Sequence, residues 1–190
     1  MEIKFVAQQK VLGLSDCERL CGQQSVEIGE LAARAGWCGI PGGRVSVTIG
    51  TALNMLVLSI TKRHGVEVQV MAAWLPGLRE EALLELGMDI SNWSFEGTYD
   101  AGQQFWPILY GSRDAVRPRV ARLLGCYSNS PTSQLRFFSP SDVELVPACR
   151  FEQGQSNRTP RFVINAHDLA QKIQGTCGSP LFTVKTANLP

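Results

Sequence analysis

The sequence predicts an all-β fold: a two-sheet antiparallel sandwich of jelly-roll type, with short helical insertions and extended terminal arms. Two observations predict it. In the stretch 44–76, Val45, Val47 and Ile49 alternate with Ser46 and Thr48, the period of a half-buried strand. Leu56 to Ile60 is a short apolar run, Thr61 to Gly65 reads as a hairpin connection, and Val66, Val68 and Val70 alternate with Glu67 and Gln69. Such close spacing without an intervening helix favours antiparallel pairing over crossover connections. The second observation is that about eight short strand signals recur along the chain against two small helical insertions.

The chain divides into an N-terminal arm over residues 1–24, a jelly-roll body over 25–153 and a C-terminal extension over 154–190. The arm carries mixed polar character and no sustained period. Ser25 to Gly36 then reads as a short helix, with Ser25 as cap, Ile28, Leu31, Ala32 and Ala35 on one face and Gly36 as stop. Gly39 to Gly43 is a loop into the first strand. After Pro76-Gly77, Leu78 to Gly87 carries the strongest helical pattern, with Leu78, Ala82 and Leu86 at helical spacing. Ile90 to Gly97 alternates as a strand, and Phe105 to Tyr110 is β-prone, with Pro107 confining it to an edge or bulge. Pro118 breaks any long helix over 116–127, where Val120, Leu123 and Leu124 suit a strand. Gln134 to Phe151 holds two more strands separated by Ser139-Pro140-Ser141. Phe162 to Ile164 is a further strand, a short helix follows near His167 to Ile173, and Leu181 to Val184 lies in an extended tail.

At 190 residues and 44% hydrophobic, the chain can bury one sizeable core. Eighteen basic against 17 acidic residues leave a net charge of +1, so no global field draws it to nucleic acid. No apolar run approaches the ~20 residues of a membrane span. The opening MEIKFVAQQK lacks the apolar core of a signal peptide, so neither export nor membrane insertion is expected. The six cysteines, Cys17, Cys21, Cys38, Cys126, Cys149 and Cys177, therefore read as free and mostly buried thiols. Zinc takes about four ligands. Neither histidine, His64 or His167, flanks the Cys17–Cys21 spacing, so no metal or other cofactor is expected.

The sharpest enzymatic pattern is Gly125-Cys126-Tyr127 with a downstream His167-Asp168, in the manner of a papain-like viral cysteine protease. That chemistry needs a thiolate formed beside an imidazole. The three-residue match sits in strand-like rather than helix-opening sequence, and a buried cysteine with a surface histidine explains it as well. Glu80, Glu81 and Glu85 share a helix face without a visible pocket. Arg113, Arg117, Arg119 and Arg122 form the densest basic cluster, either phosphate contacts or a solvated, subunit-bridging face. Gly39 to Gly43 lacks the Gly-Lys-Ser/Thr ending of a phosphate loop.

An arm containing Lys4 to Leu12, a short helix over Val26 to Leu31 and a strand from Arg44 together resemble the opening of a coat protein of the plant picorna-like viruses, the comovirus, nepovirus and cheravirus group. Val120 to Tyr127 and Asp142 to Glu152 are similarly placed to the closing strands of that jelly roll, and the 20.8 kDa mass suits a separate coat subunit. The resemblance implies a structural, non-enzymatic capsid subunit of a small icosahedral RNA virus. Its partners are then other coat-protein subunits and genomic single-stranded RNA, and its locations the virion and the host cytoplasm. Phe5, Val6, Val11 and Leu12 are the apolar anchors expected to contact neighbouring subunits. Arg113, Arg117, Arg119 and Arg122 are the RNA-contact candidates. The alternatives are the protease using Cys126 and His167, and a β-rich bacterial or phage binding module.

Overall fold

The structure, a computed structural model, describes residues 3–35, 45–95, 134–146 and 158–188. It overturns the all-β expectation. Among the described residues, six helices outweigh small sheets of two to three strands, and no two-sheet sandwich forms. In chain order the elements are β1 (Ile3–Gln9), β2 (Val11–Leu12), α1 (Leu14–Cys21), α2 (Ser25–Arg34), β3 (Val47–Thr48), α3 (Ile49–Arg63), α4 (Val68–Met71) and α5 (Leu75–Met88). A single 3-10 turn (Ile90–Asn92) follows, then β4 (Trp93–Phe95), β5 (Gln134–Phe137), β6 (Val143–Val146), β7 (Phe162–Asn165), α6 (Ala166–Cys177) and β8 (Phe182–Asn188).

The correction centres on α3, where an alternating strand, an apolar run and a hairpin were expected. Alternation ends with the two-residue β3, and Thr48 caps a 15-residue helix, its Oγ1 accepting from the backbone N–H of Thr51 at 3.3 Å. Ile49, Ala52, Leu53, Met55, Leu56, Val57 and Leu58 are all buried, so apolar side chains cover the full circumference. Such a helix shows a weaker amphipathic period than α1, α2 or α6, and its apolar run reads the same as a buried strand over five residues; length is what separates them. The second misreading lies just beyond. Val66 is buried and Glu67 is the N-cap of the one-turn α4, so the apparent alternation over 66–70 is a turn and a helix.

Helices α1, α2, α4, α5 and α6 and strands β2 and β3 all touch α3. Each seats a defined face. Cys17, Leu20 and Cys21 are the buried side of α1, and Ala166, Leu169, Ala170, Ile173 and Cys177 that of α6. Fully burying one such side chain is worth about 1.5–3 kcal/mol, which is why the enclosure of α3 dominates the fold.

Among the described residues, three small sheets lie beside this body. In the first, β8 lies between β1, antiparallel with Ile3 opposite Asn188 and Gln9 opposite Phe182, and β4, parallel with Trp93 opposite Phe182. The second pairs β2 with β3. The third has the antiparallel order β6–β5–β7, with Leu135 opposite Leu145 and Ile164. Residues 3–9 and 182–188, assigned from sequence to the two terminal arms, thus pair with each other. Of the expected subunit anchors, Phe5 and Val6 lie in β1 opposite Thr186 and Lys185, Val11 is 62% exposed and Leu12 is fully buried.

Side chains close the helix ends against the sheets. The Cys21 carbonyl at the end of α1 accepts from Ser59 Oγ (2.9 Å) and an Arg63 guanidinium nitrogen (2.8 Å), and Gly22 turns the chain at φ 62°. At the end of α5, the Leu86 and Gly87 carbonyls accept from Asn92 Nδ2 (2.9 Å) and Trp93 Nε1 (3.0 Å). Asn92 is fully buried and satisfied, its Oδ1 accepting from Ser179 Oγ at 2.9 Å and its carbonyl from the Leu181 N–H at 2.9 Å.

Leu56→Ala should cost about 2–5 kcal/mol in urea unfolding because it opens a cavity at the centre of the enclosure. The 80%-exposed Val26→Ala should stay within about 0.5 kcal/mol. Equal effects of the two substitutions would mean that α3 is not the core.

Candidate functional site

The end of α3 meets the β5–β6–β7 sheet at a cavity of about 310 Å³, lined by His64, Val66, Phe137, Ser139, Pro140, Arg161 and Phe162. Helix α3 stops at Arg63. The N–H groups of His64 and Val66 both return to the Thr61 carbonyl, at 3.0 Å each, and Gly65 takes φ 72°, a left-handed turn that glycine adopts without strain. This reversal presents His64 on the surface and tucks Val66 inward.

The sheet supplies the opposite wall. Phe137 and Phe162 are directly paired across β5 and β7, and their rings stack at 4.1 Å between centroids, 6° apart. His64 stacks on Phe162 at 4.0 Å and 18°, so a ladder of three rings runs from the fully buried Phe137 to the exposed imidazole. The β5–β6 turn forms the rim. Ser139 Oγ accepts from the N–H groups of Ser141 (3.3 Å) and Asp142 (3.0 Å), and the Phe138 N–H donates to the Asp142 carbonyl at 2.9 Å. Arg161 is anchored by its backbone, whose N–H donates to the Phe137 carbonyl at 2.7 Å. Its side chain is exposed, and no ion pair engages it among the described residues. Arg158 covers the Phe138 ring at 4.0 Å and pairs with Asp142, so the one carboxylate of the turn is already balanced. No carboxylate lines the cavity among the described residues.

The sequence singled out other groups. Arg113, Arg117, Arg119, Arg122 and Cys126 lie outside the described residues, as do Cys38 and Cys149. His167 stands in the first turn of α6, where the Gln171 amide donates to Nε2 (2.7 Å), which leaves Nδ1–H to donate to Glu85 Oε2 at 3.0 Å. The Glu85 side chain is only 6% exposed, so this contact pins α6 to α5. Both ring nitrogens thereby have partners, Gln171 and Glu85.

Three cysteines are buried close together, Cys17 and Cys21 on α1 and Cys177 at the end of α6. Burial, with smaller contributions from Cys21, Asp16, Cys177 and Glu18, pushes the Cys17 thiol up to about 12. Burial likewise pushes Cys21 to about 11, against the opposing charges of Lys172 and Arg63, and raises Cys177. These are protonated, packed thiols. Among the described residues no group of three or more His, Cys, Asp or Glu side chains is placed to hold a metal ion, and no helix is long and apolar enough to cross a membrane.

The cavity residues escaped sequence reasoning. His64 stood in an expected hairpin, while Phe137 and Phe162 stood in strands with no signal to pair them across the intervening chain. Neither a family model, nor a curated protein, nor a solved structure matches this chain.

Iodoacetamide at pH 8 should leave Cys17, Cys21 and Cys177 unmodified in the native protein and label them in urea, as mass spectrometry of the peptides would show. A fast native reaction at any of them would contradict the burial described. Since the folded values of Cys17 and Cys21 lie above the ordinary 9.0, the thiol contribution to stability is complete below pH 9 and is lost as pH rises toward 11 and 12. A Cys17→Ala, Cys21→Ala double variant should lack that part of the alkaline loss in urea titrations.

Proposed function

We propose that this chain works by recognition rather than by catalysis, and that its contact point is the cavity between the end of α3 and the β5–β6–β7 sheet. The observation that carries this reading is the combination of a stacked aromatic wall with a guanidinium that has no acidic partner among the described residues. The cavity surface is more polar than apolar, with Ser139, His64 and Arg161 beside the ring edges, and its volume sits at the small end of the ligand-pocket range of about 300–1,000 Å³. The described thiols support the non-catalytic half of the reading, since a raised pKa disfavours the nucleophilic thiolate.

The coat-subunit expectation, with coat subunits and single-stranded RNA as partners in a virion, drew on a strand order that the observed fold does not have. The protease alternative pairs His167 with Cys126, which lies outside the described residues. A binding role keeps the third expectation but moves it from a β-rich module to a helical body with a small sheet beside it.

Screening a fragment library by NMR against the full chain tests the proposal. Binders should perturb resonances of His64, Val66, Phe162 and Arg161 as a group. A screen without binders, or binders whose shifts gather at other surfaces, would count against it.

A further inference from the structure

We infer that the cavity is a site for a small phosphate-bearing ligand, its oxygens taken by the edge of the His64 imidazole and by the Arg161 guanidinium. The inference rests on the recognition role proposed above and names the ligand class. Phe162 carries His64 on one ring face and Phe137 on the other, so its ring has no face left for a ligand. What the ladder leaves open is the edge of His64. Imidazole nitrogens hydrogen-bond in the ring plane, so stacking at 4.0 Å and 18° fixes the ring without occupying them. In either neutral tautomer one nitrogen carries a proton to donate, and in the imidazolium both do.

Charge points the same way. His64 and Arg161 line one cavity, no acid lines it, and neither side chain has a hydrogen bond or ion pair among the described residues. Arg161 is the residue before Phe162, so its flexible side chain starts one residue from the ring on which His64 rests. Of the acids nearest in sequence, Asp142 is engaged by Arg158, and Glu67 stands exposed at the N-cap of α4, outside the lining. The cavity surface is more polar than apolar, which favours a compact polar ligand over a hydrophobic one. The donors come from two elements, the turn after α3 and the start of β7, rather than from one planar fork. A tetrahedral phosphate presents oxygens in several directions and can accept from both, and its charge of about −1.5 to −2 near pH 7 suits a lining without acids. The turn after α3 is fixed by its own hydrogen bonds to the Thr61 carbonyl, so ordering it costs a ligand little.

Inorganic phosphate and glycerol phosphate, titrated separately into the isotopically labelled full chain at constant ionic strength, provide the test. At least one should saturate with shifts at His64, Arg161 and Phe162. Tighter binding of free phosphate would mark an inorganic ligand, and tighter binding of the ester a phosphomonoester. His64→Phe keeps a ring on Phe162 but removes both nitrogens, and Arg161→Gln removes the guanidinium; each should weaken binding at least about fivefold. Lys172→Gln, at an exposed cation on α6, should change nothing. His64 and Arg161 are both exposed, so their variants are expected to fold, which the dispersion of the same spectra reports. No saturation, shifts that sodium chloride reproduces, or a loss as large in Lys172→Gln as in Arg161→Gln would overturn the phosphate assignment. Neutral fragments still gathering at the cavity in that case would leave the recognition role standing, whereas phosphates and fragments both failing there would overturn both.

Discussion

Burial of α3 on every side is the constraint from which the rest of this structure follows. A helix with apolar side chains around its whole circumference is stable only when other elements enclose it. Its neighbours therefore form a shell, each with one buried face and one exposed one. The few polar groups of α3 find partners in the shell and in the helix itself, except Asn54 Oδ1, which is buried without one among the described residues. Ser59 donates to the Cys21 carbonyl of α1, Asn54 to the Ala35 carbonyl just past α2 at 3.3 Å, and Thr61 to the Val57 carbonyl within α3 at 3.0 Å. These contacts fix where α1 and α2 end as well as how they pack.

The cavity inherits its geometry from the same constraint. Helix α3 ends where its enclosure ends, and the turn that follows sets His64 and Val66 at the edge of the core. Strand β7 runs directly into α6, whose buried face packs on the helical body, so the position of Phe162 is tied to the seating of α6. The aromatic ladder then bridges two units that are each placed by the core. The cavity arises at this seam without any element devoted to building it.

Much of the local structure was legible in the sequence, and the architecture was not. The strands around Ser139-Pro140 and the strand and helix over 162–173 follow from spacing and turn residues, because these elements are half-buried and carry a period. By contrast, α5 was legible only from Leu78, Ala82 and Leu86, since its apolar residues spread around the helix and leave almost no period. The stretch 49–63 defeats the same reasoning, since a fully buried helix loses the polar stripe that marks it. Val45 to Ile49 compounded the error by supplying a true but brief alternation that ends in the N-cap at Thr48. The two ends of the chain read as arms because the pairing of residues 3–9 with 182–188 is maximally non-local. For the same reason the cavity was invisible: His64, Phe137 and Phe162 come together only through the fold, and no spacing rule connects them.

Native-state hydrogen exchange followed residue by residue tests the central claim most directly. If α3 is the enclosed hub, the amides of residues 52–59 should exchange only through global unfolding and be the slowest in the chain, while those of α4 exchange through local opening. Amides of α3 that exchange as fast as those of α4, or a β5–β6–β7 sheet that outlasts α3, would contradict the account.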